Sequence, residues 1–121
     1  MNILLVEDEP FMLEAMSNVI EGTGFKVLKT DNAKDAKQIL EKENINMVIT
    51  DLYLPEPDGF ELVKFIKTNS QTKHIPVLVV TGLVEHRETL ADKVMADEWI
   101  AKPFTLDELL RSIKKFAGLN V

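Results

Sequence analysis

The chain has 121 residues, 45% of them hydrophobic, which is the size and apolar content of one domain enclosing one core. A formal net charge of -6, with 28% charged residues in no long like-charge block, argues against disorder and against a basic surface for direct nucleic-acid binding. No cysteine is present, so disulfides, thiol catalysis and thiolate metal sites are excluded, and His74 and His86 stand too far apart for zinc-ligand spacing. The apolar run Ile3-Leu4-Leu5-Val6 is too short for a signal peptide or a membrane span, and the expectation is a cytoplasmic protein with no membrane partner.

Short runs rich in Val, Ile and Leu alternate with segments of helical periodicity, the pattern of a parallel sheet wrapped in helices. The first strand is predicted from Asn2 to Val6, and it is apolar throughout rather than alternating. A strand with two apolar faces needs cover on both, which places it inside a doubly wound sheet. The first helix follows from about Pro10 to Glu21, with Met12, Ala15, Met16, Val19 and Ile20 as its apolar stripe and Gly22-Thr23-Gly24 as its stop. Pro10 suits the first turn. Phe11, at the edge of that stripe, is either partly buried or part of a docking face for a partner protein.

The second strand spans Phe25 to Thr30, and the second helix runs from about Asn32 to Glu43, burying Ala33, Ala36 and Leu40 with Asp31 or Asn32 as its cap. Asn46 to Asp51 is the third strand, and about Phe60 to Thr68 the third helix. The fourth strand, Pro76 to Thr81, carries a second run without alternation, Val77-Leu78-Val79-Val80. A fourth helix from about Glu85 to Met95 has few apolar positions and is expected to be the most mobile. Glu98 to Ala101 is the fifth strand. Thr105-Leu106-Asp107-Glu108 then opens the last helix with a capping-box pattern, and Leu106, Leu109, Leu110, Ile113 and Ala117 are expected to point inward. No repeat, low-complexity tract or linker interrupts residues 1–121, and the expectation is one domain with no output domain.

In an open α/β sheet, ligands bind beyond the carboxyl ends of the strands, near the point where strand order reverses. That rule gathers Glu7 and Asp8 after the first strand, Asp51 at the end of the third, Thr81 at the end of the fourth and Lys102 just past the fifth. Polar loops account for any one of these residues, but matching all the types by accident is an event on the order of one in a million. Three carboxylates in one cleft repel unless a divalent cation neutralises them. Magnesium, or manganese, fits: it is a hard ion that keeps waters and is held by one or two carboxylates plus a phosphate oxygen. Asp51 is then the nucleophile toward phosphorus, giving an aspartyl phosphate, while Lys102 and the Thr81 hydroxyl donate to the phosphoryl oxygens.

The set Glu7-Asp8, Asp51, Thr81-Gly82 and Lys102-Pro103-Phe104 resembles the response-regulator receiver family, and the resemblance covers the whole chain. The loop Asp51-Leu52-Tyr53-Leu54-Pro55-Glu56-Pro57-Asp58-Gly59 is similar to the family's loop after the phosphorylated aspartate. The resemblance implies a (βα)5 fold, doubly wound, with a central parallel sheet in the flavodoxin-like order 2-1-3-4-5. It implies a two-component, phosphorelay switch rather than an enzyme with an external substrate, one that promotes its own phosphorylation and dephosphorylation. Its partners are a sensor histidine kinase or histidine phosphotransfer protein upstream and an effector protein downstream. Asp8 and Asp51 are implied as side-chain magnesium ligands, Tyr53 as a ligand through its backbone carbonyl, and Glu7 as a ligand through water. A cis peptide is implied at Lys102-Pro103.

In the same resemblance, phosphorylation draws the Thr81 hydroxyl inward and Trp99 follows, reshaping the surface of helix four, strand five and helix five. Trp99 also reads simply as a large residue covering the sheet edge. Met95 stands where the family has glycine, and the Thr81 to Lys102 interval is one residue short, so helix four is expected to end differently. Tyr53 and Leu83 hold positions that tune phosphoryl loss in the family, and their bulk either shields the group or packs the loops.

Other readings are weaker. A flavin or nucleotide binder of this architecture needs a phosphate cradle after the first strand, where this chain has Glu7-Asp8-Glu9-Pro10. A hydrolase resembling the haloacid dehalogenases needs Asp-x-Asp there, and Asp8 is followed by Glu9 and Pro10. A receiver-like module that binds partners without phosphorylation loses site residues, and none is missing here.

Overall fold

The β-branched and leucine-rich runs form five parallel strands, β1 (Asn2–Val6), β2 (Lys26–Thr30), β3 (Met47–Asp51), β4 (Val77–Thr81) and β5 (Glu98–Ala101), in the order β2-β1-β3-β4-β5. They belong to a computed structural model that describes residues 1–54, 59–82 and 95–118. Four helices lie among those residues: α1 (Pro10–Gly22), α2 (Ala33–Lys42), α3 (Gly59–Thr68) and the C-terminal α4 (Leu106–Phe116). The expected fourth helix of the sequence lies outside the described residues except for Met95, which is exposed.

The strands without alternation, β1 and β4, are interior, as their two apolar faces require, and β3 between them is buried along its whole length. Each face of the sheet carries its own core. On one, Leu4, Val6, Val48, Val77 and Val79 meet Ala33, Ala36 and Leu40 of α2 and Leu62, Val63 and Ile66 of α3. On the other, Ile3, Leu5, Met47, Ile49, Leu78, Val80 and Ile100 meet Met16 and Ile20 of α1 and Leu109 and Ile113 of α4. Truncating any of these large side chains to alanine costs about 2–5 kcal/mol.

Local chemistry sets the helix ends. Asn32 caps α2, its side chain accepting from the Asp35 N–H at 2.8 Å, and Thr105 caps α4 by accepting from the Glu108 N–H at 3.1 Å. Glu9 caps α1, with its carboxylate accepting from Phe11 N at 3.3 Å and Met12 N at 2.7 Å ahead of Pro10 in the first turn. Past the other end of α1, Gly24 takes a φ of 99°, which favours glycine, and donates its N–H to the Glu21 carbonyl at 2.9 Å.

Three expectations about facing are corrected. Ala15 is exposed, and the buried face of α1 is instead centred on Leu13, Met16, Ser17 and Ile20. At about 100° per residue the centre of that face is more than a quarter-turn from Ala15, and the small Ala15 loses little by facing water. Leu106 is 43% exposed at the first position of α4, and the buried face of that helix begins at Leu109. Phe11 is 86% exposed, which removes the partly buried reading and leaves a solvent-facing aromatic ring beside the Asp8 loop.

Candidate functional site

Strand alternation builds the site. Side chains at Ile3 and Leu5, at Met47 and Ile49, and at Ile100 point to the same face of the sheet, so the next members of those series, Glu7, Asp51 and Lys102, follow onto it. All three meet where the strands end. Lys102 Nζ donates to Asp51 Oδ2 at 2.6 Å and to Glu7 Oε1 at 3.0 Å, across sequence separations of 51 and 95 residues. The lysine backbone is pinned as well, its N–H donating to the Thr81 carbonyl at 2.8 Å, and the Lys102-Pro103 peptide is cis as expected.

Asp51 is 6% exposed, and both of its carboxylate oxygens have partners. Tyr53 folds back so that its N–H donates to Asp51 Oδ1 at 3.0 Å, an Asx-type turn that sets the rotamer of the acid, while Oδ2 takes the lysine. The main chain of Asp51 is held from two sides. The Thr50 hydroxyl donates to its carbonyl at 2.9 Å, and Gly59 at the start of α3 packs so close that an added Cβ would lie 2.1 Å from that oxygen. Gly59 N–H also donates to the Leu52 carbonyl at 3.0 Å. The sequence marks Gly59 only as turn punctuation; its close approach to the aspartate is visible in the fold alone.

Burial pushes the Glu7 carboxyl up to about 7, with the Asp51 charge adding to the rise and Lys102 opposing it. Burial works against the Lys102 ammonium too, but its hydrogen bonds to Asp51 and Glu7 outweigh that, and its pKa is raised. Asp8, on the opposite alternation, is exposed, yet one carboxylate oxygen from each of Glu7, Asp8 and Asp51 lies within 4.8 Å of the other two. An all-oxygen set of this kind fits a hard divalent cation such as magnesium. Of the remaining expected residues, the Tyr53 ring is exposed beside the cleft and Thr81 is buried. Trp99 is half-buried, registers with Val79 and packs on the α2 and α3 side of the sheet, the side to which Thr81 also belongs by alternation. Leu83, Pro55, Pro57 and Asp58 lie outside the described residues.

Known proteins are similar to this chain in sequence and fold. The model of the response regulator receiver domain matches residues 3–114. The polar-differentiation response regulator DivK of Brucella anthropi is 25% identical over 118 residues, covering 97% of this chain and 96% of that protein. Among solved structures, the chemotaxis response regulator CheY4 of Vibrio cholerae superimposes with a TM-score of 0.87 at 26% identity, over 95% of this chain and 97% of that one. The response regulator TrrA of Thermotoga maritima, solved in complex with Mg(2+)-BeF, gives 0.84 at 28% identity over the same shares, 95% and 97%. With the site, the strand order and the family match in agreement, the chain belongs to the response regulator receiver domain family of two-component signalling.

Proposed function

We propose that Asp51 accepts a phosphoryl group from the phosphohistidine of a sensor histidine kinase or histidine phosphotransfer protein, in a magnesium- or manganese-dependent reaction. The single observation that carries this reading is the 2.6 Å contact between Asp51 Oδ2 and Lys102 Nζ within a cleft that also holds Glu7 and Asp8. A carboxylate oxygen of Asp51 forms the new bond to phosphorus as the bond from phosphorus to the imidazole nitrogen breaks, and the electron pair returns to the imidazole. Tyr53 N–H keeps the carboxylate from rotating during attack. Lys102 then donates to a phosphoryl oxygen, and the Thr81 hydroxyl supplies a second donor. Asp8, Asp51 and the Tyr53 carbonyl would hold the cation, which when bound neutralises the acids and the incoming phosphate.

The switch follows from placement. Thr81 and Trp99 share a sheet face, so drawing Thr81 toward the phosphate changes the space behind it, and the surface around β5 and α4 presents the change to an effector protein. The protein promotes the gain and loss of its own phosphate and has no external substrate. The proposed place of action is the cytoplasm; among the described residues no helix is long and apolar enough to cross a membrane.

The test is direct. Acetyl phosphate with magnesium should yield a phosphoryl adduct by intact mass and a change in Trp99 emission, both abolished by Asp51→Asn and by EDTA. A wild-type protein that forms no adduct sinks the reading.

A further inference from the structure

At the end of the sheet away from the cleft, one ammonium gathers three parts of the chain. Lys67, in the last turn of α3, has a side chain only 10% exposed, and its Nζ donates to Asp97 Oδ2 at 2.6 Å, to the Ile75 carbonyl at 2.7 Å and to the Lys73 carbonyl at 3.4 Å. Asp97 in turn brackets the first residue of β4. Its Oδ2 accepts from Val77 N–H at 2.7 Å, and its own N–H donates to the Val77 carbonyl at 2.9 Å. We propose that this Lys67–Asp97 clasp is the fixed pivot of β5, holding the start of the strand while phosphorylation acts on its far end, so that Trp99 between the two turns and the strand does not slide. The pivot has this role only if Asp51 is the acceptor.

β5 needs such a hold. It is an edge strand of four residues, and among the described residues β4 is its one partner in the sheet. A short strand with a single ladder is free to fray or slip, and a slip of one residue would carry Trp99 to the opposite face. Each end of the strand is secured by a lysine. Lys67 acts at the start through Asp97, and Lys102 follows the last residue, with its N–H on the Thr81 carbonyl at 2.8 Å and its Nζ on Asp51 at 2.6 Å. Phosphorylation treats the two holds differently. Esterifying Asp51 alters the contact made by Lys102, whereas the clasp sits at the first residue of β4, roughly 13 Å of strand from Thr81, and keeps its partners. Nothing in the clasp is left over to be traded for a new contact, because the three donors of the Lys67 ammonium face three oxygens. Trp99 stands two residues from the fixed end and three from the changing one, half-buried on the same core as Ala96, Phe60 and Phe65. With the start held, a pull at the far end reaches that ring as rotation.

Trp99 fluorescence and amide resonances read the pivot in protein shown by intact mass to be fully phosphorylated. In the wild type, phosphorylation should change Trp99 emission and shift the amides of Ile100, Ala101 and Lys102 more than those of Asp97 and Glu98. Lys67→Met should take phosphate from acetyl phosphate at the wild-type rate, but its emission change should fall about twofold or more while the Asp97 and Glu98 shifts grow by a similar factor. Asp97→Asn keeps an acceptor for Val77 N–H and loses the charge facing Lys67, so it should behave as Lys67→Met does; a wild-type response there overturns the pivot. A clasp that only stabilises the fold would lower the urea midpoint of Lys67→Met yet leave the emission change of the folded, phosphorylated protein intact, and that result also overturns it. So does a wild type in which phosphorylation shifts the Asp97 amide as far as that of Lys102, or leaves Trp99 emission unchanged. Before any phosphorylation, amide order parameters from Asp97 to Trp99 should fall in Lys67→Met, and unchanged values refute the clasp itself. A wild type that forms no adduct removes Asp51 as the acceptor instead, and the order parameters still decide whether the clasp holds β5.

Discussion

Replacing Gly59 with alanine places a methyl group where the backbone leaves no room. The new Cβ would lie 2.1 Å from the Asp51 carbonyl oxygen and 2.6 Å from Leu52 Cα, both main-chain atoms that no side-chain rotation can move. Because real Cβ atoms essentially never come within 3.0 Å of another group, the start of α3 must retreat from the end of β3 by about 0.9 Å or more. Overpacking of this kind costs about 1–3 kcal/mol. Weakening the Gly59 N–H to Leu52 carbonyl bond adds about 1 kcal/mol, and the stiffer unfolded chain returns about 0.4–1 kcal/mol. The net loss is about 2 kcal/mol, a fall in Tm of about 6–10 °C for a domain of this size. Urea and thermal unfolding by circular dichroism measure it, with Gly22→Ala as the control because a methyl there meets nothing within 4 Å. The same displacement moves the Asp51 main chain, so phosphorylation by acetyl phosphate should slow about tenfold or more. A Gly59→Ala protein with the wild-type urea midpoint, or with the wild-type phosphorylation rate, would refute the reasoning.

Other outcomes follow from the same geometry. In the metal-free protein the Glu7 carboxyl, raised from 4.5 to about 7, keeps a proton that the unfolded chain has already released, so this contribution to stability is complete below 4.5 and is lost as pH rises to about 7. The urea midpoint should fall across that window and Glu7→Gln should flatten the fall; identical slopes in both proteins refute the assignment. Lys67, whose side chain is 10% exposed, pairs with Asp97 at 2.6 Å and donates to the Ile75 carbonyl at 2.7 Å, so Lys67→Met should destabilise by about 2 kcal/mol in urea without changing the rate of phosphorylation. Phe11→Ala should alter stability by less than about 0.5 kcal/mol but slow phosphotransfer from the cognate kinase, and an unchanged transfer rate removes Phe11 from the docking face. Tyr53→Ala should shorten the lifetime of the phosphoryl group in a chase experiment, and an equal lifetime leaves the ring with no shielding role.

The parts of the fold legible in the sequence were those governed by short-range periodicity. The runs from Ile3 to Val6 and from Val77 to Val80 announce strands covered on both faces, the Thr105 cap follows from local hydrogen-bonding alone, and the cap of α2 is narrowed to Asp31 or Asn32, of which the structure uses Asn32. The acids, the threonine and the lysine of the site are legible because strand ends converge in any parallel sheet. What was not legible depends on neighbours distant in the chain. Ala15 and Leu106 are apolar but face water, since which residues of a helix are buried is set by what packs beneath it. The pairing of Glu7 with Lys102 spans 95 residues, although counting the alternation from Ile3, Met47 and Ile100 would have put both side chains on one face. Gly59 carries no mark of its role, because the carbonyl that excludes a side chain there is that of Asp51 at the end of β3, brought against the start of α3 only by the fold.

Glu7, Asp8 and Glu9 are three consecutive carboxylates with three separate surroundings: the lysine, the open cleft and the first N–H groups of α1. Strand and helix are therefore joined with no spare residue between them. Inserting or deleting one residue here would exchange all three assignments at once, sending the capping acid into the cleft and the buried acid out of it. The connection between β1 and α1 should consequently resist changes of length that ordinary surface loops absorb. Grafting this site onto another receiver scaffold requires moving Val6 through Met12 as one block rather than substituting its acids singly.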